Sequence, residues 1–191
     1  MTVIASPRMK STLLIIASLI VGAAQTSTPV IDNERVTVWD LTKAGSQATT
    51  PARPFVTMTL DGKAAFHNAG EPAPAGSVVV ELKDHPVAPT PNTSGYPLAF
   101  PRPNIKKLLE NDTVIVWDYT WAIGKPTNMH FHDKDVVLVY LEDGSVNSVT
   151  PDGKIAVNEV QRGSIRFNVG NRVHYEELVK GKSRAIITEL K

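Results

Sequence analysis

The chain has 191 residues, with 20 basic and 19 acidic side chains, a formal net charge of +1 and no cysteine. This near-neutral balance argues against nucleic acid or an anionic membrane surface as the partner, and the lack of cysteine excludes a disulfide framework. A chain of this length can form one domain with a well-buried core, and that core must supply the stability.

Residues 1–24 have the pattern of an export signal. Two basic residues, Arg8 and Lys10, precede an apolar run that is too short to span a bilayer comfortably and ends in small residues. The sequence therefore predicts a short signal helix that is cleaved after Ala23 or Ala24, with a retained membrane anchor as the alternative. Cleavage would leave 18 basic residues against the 19 acidic ones. The mature protein is then expected in the periplasm or outside the cell, without membrane contact.

Residues 25–191 are predicted to be a single all-β domain, because short β-like runs alternate with turn signals. The predicted strands lie at 35–42, 55–60, 76–84, 112–123, 135–157, 163–169 and 183–190. An Asp-Gly pair at residue 61 predicts a hairpin after the second run, and two further Asp-Gly pairs interrupt the run at 135–157. The one helical pattern is at 104–111, where Asn104 could cap one or two turns.

Two further features concern the organisation of the chain. The stretches NERVTVWD, from Asn33, and NDTVIVWD, from Asn111, agree at five of eight positions. This match suggests a degenerate first half over 33–110 and a second half over 111–191, although two strands could favour Val and Trp independently. Residues 84–104 contain six prolines. They predict a stiff loop, which either walls a site or packs as a surface connection.

Two histidines, His130 and His132, are one residue apart in a strand-like run and therefore face the same way. His174 follows a later strand, and an antiparallel neighbour would bring it beside the pair. Three neutral imidazoles suit Zn, Cu, Fe or Ni, and an open coordination position would suit catalysis. The alternative is a pocket in which the histidines bind one another, water or a ligand without metal.

These residues resemble the two motifs of the cupin superfamily, over roughly residues 112–190. The first motif is matched by Gly124, His130, His132 and Gly144, and the second by Gly163 and His174. The acidic ligand position of the first motif falls on Val136 or Val137, and in the second motif Val169, Asn171 and Leu178 replace Pro, Gly and Asn. The resemblance implies a cupin-like double-stranded β-barrel, or jelly roll, that can pair as a homodimer.

The departure from the motif leaves the fourth ligand open. Asp135 lies one or two positions before the expected acidic slot, and Glu176 shares the strand phase of His174. The predicted metal ligands are therefore His130, His132 and His174 with Asp135, and Glu176 is the second choice for the fourth. For this exported protein, the resemblance implies one bound transition metal, which can be Mn, Fe, Zn, Cu or Ni, and a small molecule in the barrel. A metal-dependent oxygenase or isomerase is one outcome. A non-catalytic binding or protein-interaction module without metal is the other.

Overall fold

A computed structural model describes residues 27–191, and the predicted signal segment lies outside this range. The described part is all-β, as predicted, and none of its residues is helical; it contains no helix that could cross a membrane. The strands are β1 (Ile31–Asp32), β2 (Val36–Asp40), β3 (Phe55–Thr59), β4 (Ala64–His67), β5 (Ser77–Leu82), β6 (Ile105–Glu110), β7 (Val114–Trp121), β8 (His130–His132), β9 (Val136–Tyr140), β10 (Gly144–Val149), β11 (Ile155–Val160), β12 (Ile165–Asn168), β13 (Arg172–Gly181) and β14 (Ser183–Leu190).

The strands form three antiparallel sheets, none of which closes on itself within residues 27–191. The N-terminal sheet has the order β1-β2-β5-β3-β4, the central sheet β12-β9-β14-β7-β6, and the histidine sheet β11-β10-β13-β8. One hydrophobic core lies between the N-terminal and central sheets, and a second lies between the central and histidine sheets. The central sheet is therefore covered on both faces, and the second core holds the three histidines.

Side-chain alternation along β7 explains how one strand serves both cores. Val114 and Val116 face the N-terminal sheet, whereas Trp117, Tyr119 and Trp121 face the histidine sheet. All three aromatic residues are buried. Removing a large side chain from such a core typically costs about 3–5 kcal/mol.

The N-terminal and central sheets share a strand order and a register. The order β2-β5-β3-β4 in one corresponds to β7-β14-β9-β12 in the other. Val36 pairs with Leu82 in the first sheet, and Val114 pairs with Leu190 in the second, at the same place in each sequence match. The likeness of the two eight-residue stretches thus extends to the strands that pair with them.

The first residue of each matched stretch makes the same turn. The Asn33 side-chain oxygen accepts hydrogen bonds from the amides of Arg35 and Val36, at 2.8 and 2.9 Å. The Asn111 side-chain oxygen accepts from the amides two and three residues further along, both at 2.9 Å. Asparagine is favoured at such turns because its short side chain replaces a backbone acceptor.

The helix predicted at 104–111 is wrong, because this segment forms β6 at the edge of the central sheet. Asn104 does not cap a helix, since its backbone lies in the left-handed region with φ of 62°. The register against β7 shifts between Lys107 and Leu109. This irregularity lets Leu108 and Leu109 both pack against the first core, which produces the apolar pair that reads as helical.

Two of the three Asp-Gly pairs form the predicted hairpins, and the third does not. Asp61-Gly62 joins β3 to β4, and Asp152-Gly153 joins β10 to β11. Gly144 instead begins β10, whereas the preceding strand β9 pairs with β12 and β14. A Cβ on Gly144 would lie 2.2 Å from the Lys182 carbonyl oxygen. Glycine is required there by the close approach of two backbones.

Candidate metal centre

The three histidines lie side by side on the inner face of the histidine sheet. His130 and His132 occupy alternate positions of β8, and His174 on β13 pairs directly with His130 across the two antiparallel strands. The three side chains are buried, with residue exposures of 4%, 5% and 7%. The structure therefore brings together the three residues that alternation and spacing predict as one group.

The three Nε2 atoms converge. His132 Nε2 lies 3.2 Å from His130 Nε2 and 3.1 Å from His174 Nε2. The opposite ring nitrogens are held by neighbours: His130 Nδ1 is 2.8 Å from the Asn128 carbonyl oxygen, and His174 Nδ1 is 2.8 Å from Ser148 Oγ. The carbonyl requires His130 Nδ1 to be the protonated nitrogen, which leaves the lone pair of its Nε2 directed at the other two rings.

Hydrogen bonds alone cannot satisfy this arrangement. An imidazole Nε2 has one in-plane site, for a proton or for a lone pair, so His132 Nε2 can make only one good hydrogen bond. It nevertheless has two nitrogen neighbours within 3.2 Å. Metal–nitrogen bonds of about 2.0–2.1 Å at tetrahedral angles would separate the ligand atoms by about 3.3 Å. The observed spacing fits a shared metal ion better than a chain of imidazoles.

Burial keeps the three imidazoles neutral, which is the form that binds metal. It lowers the pKa of His130 and lowers that of His132 well below the usual value, with further lowering at His132 by Arg172. The pKa of His174 falls to about 4, again mainly through burial. The nearby Glu176 carboxylate raises the pKa of all three histidines, but burial, which lowers it, has the larger effect.

Metal-free protein should lose stability as the pH falls from 7 to 5. The unfolded His174 would titrate near its ordinary pKa of 6.5, whereas the folded residue stays neutral until about pH 4. Protons therefore favour the unfolded chain in this window, and His174 alone should lower the free energy of unfolding by about 2 kcal/mol. Urea denaturation of chelator-treated protein at both pH values measures this loss. H174Q should show a visibly smaller loss, and equal losses in the two proteins would contradict the prediction.

Glu176 and Arg102 form a buried ion pair beside the histidines. Arg102 Nη1 donates to Glu176 Oε2 at 2.7 Å, and Trp121 Nε1 donates to the same oxygen at 3.2 Å. Burial alone would raise the pKa of Glu176, but Arg102 and the three histidines together hold it well below its usual range. The carboxylate is therefore ionised, and the guanidinium balances its charge in a largely dry environment.

The proline-rich loop forms one wall of the site. Its backbone continues the edge of β8, because the Phe131 amide donates to the Pro97 carbonyl and the Ala99 amide donates to the Phe131 carbonyl, both at 2.8 Å. Phe100 then meets the His132 ring edge-on at 5.7 Å. A cavity with about 20 Å³ of free volume lies among Phe100, His132, His174 and Glu176. This volume suits one water molecule or ion.

The structure places the predicted fourth ligand, Asp135, away from the three histidines. Its Oδ1 accepts the Gly170 amide at 2.7 Å, and its Oδ2 lies 3.8 Å from Arg35 Nε. The carboxylate therefore binds the backbone just before β13, and it faces Arg35 beside the N-terminal sheet. Glu176, the second choice, lies with His132 and His174 at the small cavity.

The remaining histidines lie outside the group. His67 on β4 contacts Thr57 Oγ1 at 2.9 Å and Glu71 Oε2 at 3.3 Å, and His85 approaches Glu34 at 3.7 Å. Both histidines make local polar contacts and take no part in the three-histidine group.

Sequence reasoning missed Arg102, Ser148 and the carbonyl of Asn128. Arg102 lies in the proline-rich loop, and no pattern connects it with Glu176, 74 residues away. Ser148 could have been found only with the register of β10 against β13. The replacement of Gly by Asn171 in the second motif is explained by its φ of 55°, since asparagine is the residue that tolerates this region best after glycine.

Comparison with solved structures gives matches to cupins. A cupin domain from Bordetella pertussis Tohama I is 22% identical, with a TM-score of 0.42, and the match covers 46% of this chain and 91% of that one. An RmlC-like cupin with a double-stranded β-helix fold from Methanocaldococcus jannaschii is 13% identical, with a TM-score of 0.38, over 56% of this chain and 91% of that one. Both of these structures are cupins, the superfamily whose motifs the sequence resembles, and each match covers about half of this chain.

The polyketide cyclase RemF from Streptomyces resistomycificus also matches, at 20% identity and a TM-score of 0.38. That match covers 45% of this chain and 63% of the cyclase, so the chain spans less than two thirds of its length. No protein-family model matches the chain, and no curated protein matches it.

Proposed function

We propose that His130, His132 and His174 hold one divalent transition-metal ion. The convergence of their three Nε2 atoms carries this proposal, because two of these contacts meet at one His132 nitrogen that can make only a single hydrogen bond. Imidazole is a good ligand for Zn, Cu, Fe and Ni, and the cupin resemblance adds Mn, so the ligand set does not choose among these five metals.

If a small molecule bound beside the ion reacts there, the protein is a metal-dependent enzyme, and the cupin resemblance suggests an oxygenase or isomerase. Three protein ligands leave coordination positions open, and a bound ion supplies Lewis acidity or activates water or dioxygen. The chain contributes neutral ligands, held by Asn128 and Ser148, and a wall that excludes bulk water. Ionised Glu176 is the nearby base: both its donors bind Oε2, and Oε1 makes no hydrogen bond within the described residues.

One observation favours a second candidate, a binding module that does no chemistry. Glu176 is tied to Arg102 and Trp121, which reduces its basicity, and the cavity beside the histidines is small. A non-catalytic protein would use the same site to hold a metal or small ligand without turnover. The two candidates differ in whether metal-loaded protein transforms any molecule that it binds.

Metal binding is tested on protein that has been stripped with a chelator and then titrated with Zn²⁺, Mn²⁺, Ni²⁺ or Co²⁺ in a calorimeter. We expect one ion per chain and a melting temperature that rises with free metal concentration, because only the folded chain presents the site. Elemental analysis of protein from its native compartment then identifies the ion. No binding of any of these ions, with a melting temperature unaffected by chelation, would refute the proposal.

The Ser148 hydroxyl should contribute to metal affinity through His174. It lies 2.8 Å from His174 Nδ1 and fixes the orientation of that ring. Loss of such an orienting partner typically lowers metal affinity about 10–100-fold. S148A should show this decrease in a competition titration against a chromogenic chelator. S148T keeps the hydroxyl and should retain most of the affinity; equal losses in the two variants would assign the effect to packing.

We also propose that the mature protein acts after export, in the periplasm or outside the cell. The charged and apolar pattern of residues 1–24 supports this. Amino-terminal sequencing of protein from its native host should find Ala24 or Gln25 as the first residue. An intact Met1 terminus would contradict the proposal.

A further inference from the structure

A larger pocket lies on the outer side of the histidine centre. It has a volume of about 240 Å³ and is formed by the turn of the proline-rich loop, the segment between β7 and β8, Tyr119 and His130. Its walls are mostly apolar, with four prolines, Leu98, Ala99 and the Tyr119 ring. The small cavity at the histidines and this outer pocket have one lining residue in common, Arg102.

The charged groups that line the outer pocket are basic, and Glu176 balances the charge of Arg102 from the side of the histidines. Arg102 and Lys125 are its charged lining residues, and no carboxylate lines it. His130, the third titratable base, is kept neutral by burial, which lowers its pKa. The pocket therefore has an apolar wall with basic groups at its edge, and it lies next to the metal ligands.

Arg102 is fixed rigidly at this boundary. Its side chain is 9% exposed, its guanidinium lies 4.1 Å from the centre of the Tyr119 ring, and Nη1 is bound to Glu176. Its Nε is buried and has no hydrogen-bond partner within residues 27–191. A buried donor without a partner costs free energy, and it marks a place where an acceptor is missing. Stacking and the ion pair hold the guanidinium in place before any ligand arrives.

We propose that the outer pocket binds the carboxylate of a small, largely apolar acid, with the carboxylate at Arg102 and Lys125 and the apolar body against the prolines. The inference rests on the proposed metal function, since it names the class of molecule that this site takes. Arg102 provides the planar donor geometry that suits a carboxylate, and Lys125 supplies a second positive charge at the rim.

Benzoate is the test probe, compared with its neutral isostere benzamide and with inorganic phosphate. Binding is measured by tryptophan fluorescence and by calorimetry on chelator-treated full-length protein, so that no ion can capture the anion. We expect benzoate to bind at least about tenfold more tightly than benzamide or phosphate. K125Q should weaken benzoate about three- to tenfold, whereas K106Q, a charge change on exposed β6 outside the pocket, should leave its affinity unchanged.

A charge-balanced double variant, R102M/E176M, keeps the buried site neutral and removes the anchor. It should bind benzoate more weakly than the wild type does, and it should keep only the smaller preference over benzamide that Lys125 supplies. Equal affinities of the wild-type protein for the two probes, no binding of benzoate, or phosphate binding as tight as benzoate binding would each overturn the proposal. Benzoate binding that requires Zn²⁺ and is insensitive to K125Q would also overturn it while leaving the metal site intact. Arg102-dependent binding in a protein that takes up no metal would support the pocket and refute the metal proposal.

Discussion

Replacing His132 by alanine is expected to abolish stoichiometric metal binding. His132 is the central member of the group, since its Nε2 contacts both other Nε2 atoms at 3.1–3.2 Å. Its removal leaves two imidazoles on neighbouring strands, and we expect the affinity for Zn²⁺ or Co²⁺ to fall by more than about 100-fold. Calorimetric titration of stripped protein measures the change.

The matched control for this variant is H67A. His67 belongs to the N-terminal sheet and contacts Thr57 and Glu71, so its loss should leave the metal stoichiometry unchanged. A cobalt derivative gives a second measurement, because an absorption spectrum of nitrogen-bound Co²⁺ should appear in the wild type and in H67A. If H132A still binds one ion with wild-type affinity, the metal ligands lie elsewhere in the chain.

Replacing Arg102 by alanine is expected to destabilise the protein strongly. The variant leaves the Glu176 carboxylate buried without the donor that binds it at 2.7 Å, and removes the guanidinium that packs on Tyr119. Loss of one partner of a buried ion pair typically costs about 3–5 kcal/mol. Chemical denaturation of the metal-free protein should show this loss at pH 7.

The double variant R102M/E176M should recover most of the lost stability, because replacing both partners by apolar residues of similar volume is often close to neutral. K107A provides the surface comparison, since the pair between Lys107 and Glu110 is largely exposed and should contribute less than about 1 kcal/mol. A double variant as unstable as R102A would show that packing at Tyr119, and not the unpaired charge, determines the loss.

The sequence was most informative where a local rule has one outcome. Alternation along a strand places His130 and His132 on one face, and the antiparallel pairing of β8 with β13 then brings His174 opposite His130. Turn chemistry also indicated the hairpins at Asp61-Gly62 and Asp152-Gly153, whereas the same pair of residues at Asp143-Gly144 joins two strands that pair with other partners. These features depend on neighbours in sequence or on a single pairing.

The features that could not be predicted depend on tertiary contacts. The segment at 104–111 forms a strand because its backbone pairs with the edge of β7. This tertiary pairing outweighs the local preference for a helix. Asp135 and Glu176 were both reasonable fourth ligands on spacing, and only the backbone path decides that one meets Gly170 and the other meets Arg102. The Arg102 side chain reaches the site from a loop whose course no local pattern specifies.

The double coverage of the central sheet links the two halves of the chain. Its Val116, Val137 and Ile186 side chains are fully buried only because the N-terminal sheet packs over them. A fragment that began near residue 111 would keep His130, His132, His174 and every motif position, yet it would expose a broad apolar face of the central sheet to water. The N-terminal sheet thus shields one face of the central sheet, whose other face packs against the histidine sheet.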